Sequence, residues 1–490
     1  MARIEFIDQT LRDGQQSLWG MRLRAYQATP ALPHLNATGF RAVDTTGGGP
    51  FIVLVREFRD DPWATLDHIT SGLSNTGVRA GLRTLAIGGF GFTADAMIDL
   101  WIRLLGKHGV QSLWLFDCLY DMPLMRAKAQ VILDAGLDVV PAIMYGLTDL
   151  HTDEFFAERA REMASWPGVK TIYVEDAAGV LTPERAATLL PALQGASGDV
   201  RLELHVHNTT GLATSVYLEG LKAGIDIFHT CSLPMANGPS LPSTEAMVEV
   251  VELSGHSHSL DNSHLPPVAE HFYREAARVG YATGVPNEYR MLPYLHQLPG
   301  GMTGTLRNQL AQHGMEDRLM DVLREIVQVR EDLGQPIMAT PFSQFVGIQA
   351  VLNVVTGERY KLVPDEVIQY ALGHFGPLMR PVAPNVADKI FAQRRAADFM
   401  AWERPQPTLD QVRKQFGSSL SDEELMLRYM IPSDAVDAML AAGPIRTSYP
   451  THSSAIVEHI AELVQEAGSA RRLTLSQPGI SLDLRRSPAS

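Results

Sequence analysis

The chain has 490 residues, 45% of them hydrophobic and 20% charged, with 40 glycines, 30 prolines and a formal net charge of −14. This length and balance are those of a soluble globular protein with a sizeable core, and they call for one large barrel or sandwich plus a further domain. The acidic balance, with no basic stripe, excludes a nucleic-acid binder and leaves small molecules or other proteins as partners. Two cysteines, Cys118 and Cys231, form neither a CxxC nor a zinc-knuckle spacing, which suits a reducing compartment and predicts no structural disulfide. The start "MARIEFIDQT" lacks a basic segment followed by an apolar core, and no apolar run reaches the length of a membrane span. A cytoplasmic chain that does not cross a membrane is expected.

Short apolar runs, each followed by an amphipathic stretch, predict strands near 3–8, 40–45, 79–86, 111–117, 138–145, 169–175, 200–206 and 224–229. Eight strands alternating with helices predict an α/β fold, a closed (β/α)8 TIM barrel over residues 1–258. Beyond it, "PPVAEHFYREAARVGYATG", "GTLRNQLAQHGMEDRLMDVLREIVQVREDLG" and "SQFVGIQAVLNVVTG" carry apolar faces of helical period and predict a helical, funnel-type domain over 259–405. "RPQPT" marks a linker into a small C-terminal extension, 406–490, expected to serve carrier docking or dimerisation. Within it "SDEELMLRYMI" and "HSSAIVEHIAELVQEAG" read as surface helices, and "RRLTLSQPGISLDLRRSPAS" as two short strands around a Pro-Gly turn.

Working residues of such a barrel sit at the C-terminal ends of strands and in the loops that follow. Asp8 ends the first strand with Arg12 and Asp13 just after it; Arg83 ends the third, Asp117 the fourth, Glu175 and Asp176 the sixth, and "LELHVHN" closes the seventh. His205 and His207 are two apart on a strand and point to the same side. HxH is a metal-ligand pattern for Zn, Mn, Co or Fe, and Asp13 and Glu175 could add one or two carboxylates. An isolated HxH is more often a hydrogen-bonded structural pair; its place at a barrel end favours the metal. Asp13 could also serve as a helix N-terminal acid, because "RDGQQS" precedes a helix. Arg83 could clamp a carboxylate through its planar fork or pair with a barrel acid. "TTGGGPF", residues 45–51, could bring backbone amides to an anion or simply make a tight turn.

At these residues the chain resembles the carboxyltransferase components of pyruvate carboxylase, oxaloacetate decarboxylase and transcarboxylase, within the metal-dependent lyase-type barrels. The likeness runs from residue 3 to about 435 and rests on "DQTLRDGQQSLWGMRLR", "TTGGGPF" with "DDPW", "GLRTL", "EDAAGVLTP", "HVHNTTG", "LPSTEAMV", "HQLPGGM", "MEDRLMDVLREIVQVREDLG", "TPFSQFVGIQAVLNVVTGERYK" and "DEELMLRYMIP". The resemblance implies a divalent metal (Zn, Mn or Co) on Asp13, His205 and His207, a 2-oxo acid gripped by Arg83, and Arg12 and Gln16 around the substrate. It also implies that Thr340 shuttles a proton between the substrate enolate and biotin, with Ser343 reading the biotin. By its chemistry alone Thr340 would be a helix cap before Pro341.

Five positions depart from the family pattern. Glu175 stands where the family has a lysine that is carbamylated to ligate the metal, and a glutamate offers a permanent carboxylate of shorter reach. Ile52 replaces an aspartate and Phe90 a tyrosine, so the pocket is less polar and an acceptor other than ordinary pyruvate is expected. Asn208 replaces an aspartate after HxH, and Gln344 a basic residue near Ser343. None of the seven lysines (107, 128, 170, 222, 361, 389, 414) lies in a Met-Lys-Met hairpin. Biotin is therefore expected on a separate carrier protein, with a biotin carboxylase subunit as further partner and a homodimer as the assembly. The leading expectation is a carboxyltransferase subunit. A biotin-independent metal-dependent decarboxylase or carbon–carbon lyase is the alternative, and a catalytically silent scaffold paralogue the third.

Overall fold

A computed structural model describes residues 2–89, 91–300, 302, 306, 310–311, 314–450, 472–477 and 480–485. The expected strands are all present: β1 Arg3–Asp8, β2 Ala42–Thr46, β3 Gly77–Arg83, β4 Ser112–Phe116, β5 Asp138–Met144, β6 Thr171–Asp176, β7 Arg201–Val206 and β8 Ile227–Thr230. They pair in parallel and in sequence, and β1 closes the ring by pairing with both β2 (Ile7 opposite Ala42) and β8 (Glu5 opposite Ile227). Most strand residues are buried because helices cover the outer face while side chains fill the inside, which is why these strands read as near-continuous apolar runs.

The interior is polar to an unusual degree. Asp44, Trp114, Tyr173 and His229, one from each even-numbered strand, meet across the barrel: Trp114 Nε1 donates to Asp44 Oδ2 at 2.9 Å, Tyr173 stacks on Trp114 with centroids 5.0 Å apart, and His229 meets the Tyr173 ring edge-on at 4.5 Å. Gly81 makes room for the indole, since a Cβ there would lie 2.5 Å from a Trp114 ring carbon. Arg79 on β3 forms a two-pronged ion pair with Glu203 on β7, and the same carboxylate meets His229 Nε2 at 3.2 Å.

Residues 1–445 form one compact unit and 446–490 a second. Within the first, the helix Leu265–Val279 is tied to the barrel through His271 Nε2 and the Gln27 carbonyl (2.6 Å) and through Gln27 Nε2 and Glu275 (2.6 Å). The helices Leu409–Phe416, Asp422–Met430 and Ser433–Ala442, expected in the extension that starts at 406, belong to this unit instead. The reason is side-chain contact: Trp63 Nε1 donates to the Glu423 carbonyl, and the Ala94 amide to the Tyr429 hydroxyl. In the second unit Arg472–Gln477 and Ile480–Arg485 form the expected antiparallel pair. The Pro-Gly turn between them, the expected helix "HSSAIVEHIAELVQEAG" and much of 301–313 lie outside the described residues. No helix among the described residues is long and apolar enough to cross a membrane.

Glu203 is buried, yet Arg79 and His229 outweigh that burial and hold its carboxyl well below the usual range. A depressed folded-state pKa gives stability that is present above the unfolded value, about 4.3, and is lost as pH falls below it. Glu203→Ala should lower unfolding stability by about 3–5 kcal/mol, because it strands the Arg79 charge in the barrel. Urea titrations at pH 7 and pH 4 check both statements: the deficit should shrink at the lower pH.

Candidate active site

The polypeptide leaves β1 in one turn of π-helix, Thr10–Gly14, followed by the short helix Gln15–Trp19. That tight exit turns Arg12 and Asp13 into the barrel mouth, both buried. Across the mouth Glu175 stands opposite His205 in the β6–β7 register, and His207 follows β7. Asp13, Glu175, His205 and His207 each present a ligand atom within 4.8 Å of all the others. The two Nε2 atoms are 3.2 Å apart, and each is 3.5 Å from Asp13 Oδ2.

The surroundings set which atoms face this centre. His207 Nδ1 donates to the Pro239 carbonyl at 2.6 Å, and His205 Nδ1 lies 2.7 Å from the Tyr173 hydroxyl, so both rings are oriented with Nε2 inward. Ser17 donates to Asp13 Oδ1 at 2.8 Å, leaving Oδ2 toward the imidazoles and Arg12. Glu175 Oε2 is buried without a hydrogen-bond partner. Burial pushes the Glu175 carboxyl up to about 7, offset only partly by Arg12. Burial alone would lower His207, but the Asp13 charge and hydrogen bond, aided by the Pro239 carbonyl, raise it to about 9. The centre therefore attracts positive charge. Two nitrogens and two carboxylates, one of them with an orphaned buried oxygen, are a donor set that could hold a divalent cation.

Beside this centre lies a small cleft with about 30 Å³ of free space, bounded by Arg83, Asp117, Cys118, Phe92, Thr340 and Phe375 among others. Cys118 feels the charges of both Glu175 and Arg83, so the cleft and the four-residue centre share one barrel mouth. Arg83 Nη2 donates to the Gly89 carbonyl at 3.0 Å, while Nη1 is buried and unpartnered. No carboxylate among the described residues pairs with it, so the ion-pair alternative is not realised. Burial lowers its guanidinium to about 10, still protonated at neutral pH. Thr340 lines the same cleft as Arg83, and its hydroxyl bonds to no described residue. It is not a cap: the helix Phe342–Thr356 has Pro341 at its N-cap and no side-chain capping bond.

Other expected residues are placed differently. Arg12 is committed, with Nη1 2.7 Å from Asp13, Nε 3.3 Å from Asp44 and Nη2 3.3 Å from the Tyr173 hydroxyl. Gln16 is exposed and joins neither centre nor cleft, because on a helix its neighbour Gln15 takes the inward direction. Ile52 sits outside the cleft lining, packed toward Gly88, and Phe90 lies outside the described residues. Ser343 is buried with its hydroxyl unpartnered, one residue behind the cleft wall at Phe342, and Gln344 Oε1 is likewise unpartnered. Asn208 bridges loops, donating to Asn237 Oδ1 at 3.0 Å. "TTGGGPF" opens the helix Gly48–Val53, where a Cβ on Gly48 would lie 1.9 Å from the Ile87 carbonyl; the glycine serves a close approach of two loops. Sequence reasoning missed Asp44, Tyr173 and His229, which orient Arg12 and His205 from below. Each of Tyr173 and Glu203 lies two residues before a mouth residue, and that period was the available signal.

Comparison with known proteins places the chain in a family. Residues 294–462 match the family model of the conserved carboxylase domain, and residues 125–271 the HMGL-like model. A pyruvate carboxylase subunit of Methanocaldococcus jannaschii is 29% identical over 506 residues, covering 99% of this chain and 86% of that protein. The carboxyl transferase domain of Rhizobium etli pyruvate carboxylase, solved with pyruvate, superposes with a TM-score of 0.82 at 24% identity, covering 99% of this chain and 83% of that one; it shares the fold. The corresponding pyruvate carboxylase subunit of Methanothermobacter thermautotrophicus is 30% identical over 441 residues, 89% of this chain and 77% of that protein, and the chain accordingly belongs to the family of pyruvate carboxylase carboxyltransferase subunits.

Proposed function

We propose that this chain moves a carboxyl group between biotin on a separate carrier protein and an enolisable 2-oxo acid, with a divalent metal held by Asp13, His205, His207 and Glu175. The observation that carries the reading is the pairing of that buried N2O2 centre with a cleft lined by both an arginine without a described carboxylate partner and the Thr340 hydroxyl. A biotin carboxylase subunit would recharge the carrier. None of the chain's lysines offers a biotinylation hairpin.

When bound, the ion supplies Lewis-acid polarisation of a substrate carbonyl. Arg83 holds the substrate carboxylate with its free Nη1, and Arg12, locked by Asp13 and Asp44, keeps the polar wall rigid. Thr340 accepts the C3 proton of the 2-oxo acid as its own proton passes to N1 of biotin. In balance, a C3–H and an N1–carboxylate bond are broken, and a C3–carboxylate and an N1–H bond are formed. The apolar walls of the cleft limit the access of water to the carboxyl group in transit.

Removing ligand atoms tests the metal assignment without any turnover. Wild-type protein dialysed against Zn, Mn or Co should retain about one ion per chain, His207→Ala should bind at least about 100-fold more weakly and Glu175→Gln about 10-fold more weakly, by elemental analysis and competition with a chelator. Equal affinity in all three proteins would refute the assignment.

The transfer step is tested with carboxylated carrier and a panel of 2-oxo acids. Thr340→Ala should lose about 10²–10⁴ in kcat with metal content and melting temperature unchanged, and Thr340→Ser should recover much of it. Undiminished transfer by Thr340→Ala would exclude the proton shuttle.

A further inference from the structure

The helix Leu319–Asp332 ends two residues after Arg330, and Gly334 and Gln335 then take positive φ (80° and 62°) before the polypeptide runs through Pro336 to Thr340. The turn is crowded as well as left-handed, since a Cβ on Gly334 would lie 2.1 Å from the Arg380 carbonyl. Arg330 is buried, 6% exposed, and its guanidinium pairs with no carboxylate among the described residues. Asp332, two residues on, is engaged instead by Arg359 and the Tyr360 hydroxyl. Arg330 donates to two carbonyls, Nε to Pro336 and Nη2 to Leu147, each at 3.3 Å. Burial lowers the group to about 10, so at neutral pH it keeps its charge, with carbonyl dipoles in place of a counter-ion.

The two carbonyls belong to different parts of the mouth. Pro336 opens the segment that carries Thr340, whereas Leu147 lies three residues past β5, in a loop whose Tyr145 amide donates to the Glu175 carbonyl at 2.7 Å. Gln297, itself left-handed at φ 52°, clasps the same Leu147: Nε2 donates to its carbonyl at 2.6 Å and Oε1 accepts from its amide at 3.1 Å. Ile337 packs against this loop at Gly146, where a Cβ would lie 3.1 Å from Ile337 Cγ1. A bond to Pro336 alone would make Arg330 a basic residue closing its own helix C-terminus. The bond to Leu147 ties that closure to the loop bonded to the Glu175 backbone. Burying a guanidinium without a carboxylate is costly, and stability alone would be served as well by an apolar side chain. Resting on the carboxyl-transfer reading above, we propose that Arg330 is a positioning residue: it holds the Pro336–Thr340 segment in register with the β5 loop and so sets where the Thr340 hydroxyl meets the reacting atoms. The clamp acts on backbone, and the Thr340 hydroxyl keeps its freedom to rotate.

The test uses the metal-loaded full chain with carboxylated carrier and the 2-oxo acid it carboxylates fastest. Arg330→Lys keeps the charge but lacks the planar fork that spans two carbonyls, and Arg330→Met keeps the stem and removes the donors. Because a misplacement of about 1 Å can cost on the order of 100-fold, both variants should lose about 10- to 100-fold in kcat, with KM for the acid and metal content within about 2-fold of wild type. On a Thr340→Ala background the same substitutions should cost less than about 2-fold, since the group they misplace is already gone. Undiminished kcat in Arg330→Met, or a loss that returns in full on the Thr340→Ala background, would overturn the proposal. Diffraction from Arg330→Met crystals needs no turnover: Thr340 should shift by about 1 Å or more relative to Arg83, with β5 and Glu175 unmoved. Thr340 in its wild-type place would overturn the proposal as well. Wild type that transfers nothing, or Thr340→Ala that transfers at full rate, removes the carboxyl-transfer reading and leaves the diffraction result to decide the placement.

Discussion

One buried guanidinium organises the barrel mouth. Arg12 reaches Asp13 and Asp44 with separate nitrogens, donates to the Tyr173 hydroxyl and lies over the Trp114 ring, 4.9 Å from its centroid. Around it stand three carboxylates, those of Asp13, Asp44 and Glu175, all buried. Beside these acids the inward Nε2 atoms of His205 and His207 lie 3.2 Å apart and each 3.5 Å from Asp13 Oδ2. A buried pair retained at such desolvation cost is weak as a stabiliser but strong as a positioning device. The π-turn at Thr10–Gly14, the glycine beneath Trp114 and the clasp of Pro239 on His207 all serve that position.

The division of labour follows from the architecture. Barrel strands supply groups that must not move relative to one another, because each is fixed by ladder hydrogen bonds and by an inward layer of aromatic and charged side chains. Thr340 arrives from outside the barrel, just before the helix Phe342–Thr356, and lines the same cleft as a barrel arginine. In the proposed transfer step that placement would give the proton-carrying group freedom that the barrel wall does not offer. Its neighbours Ser343 and Gln344 keep unpartnered polar atoms, the kind of unsatisfied groups that polar ligands satisfy.

Much of this was legible in the amino-acid order. The eight strands were visible because a parallel barrel buries both strand faces, which writes apolar runs separated by amphipathic helices. Asp13, Glu175, His205 and His207 were legible because strand ends define the mouth. Gln16 lies outside the cluster and the cleft: consecutive helical residues point about 100° apart, so Gln15 turns in and Gln16 out. The interior layer was overlooked although Tyr173 precedes Glu175, and Glu203 precedes His205, by the two-residue period of a strand. The division near residue 445 was not legible at all. Whether an amphipathic helix packs on the barrel or leaves it depends on a matching surface, here Trp63 and Ala94, that linker composition does not reveal.

The proposal that Glu175 completes a metal centre with Asp13, His205 and His207 is tested most directly by anomalous diffraction from crystals of the protein loaded with Mn or Zn. A single strong peak is expected, within bonding distance of two imidazole Nε2 atoms and of carboxylate oxygens from both Asp13 and Glu175. A peak bonded to the other three residues with Glu175 turned away, or no peak at the barrel mouth, would contradict it.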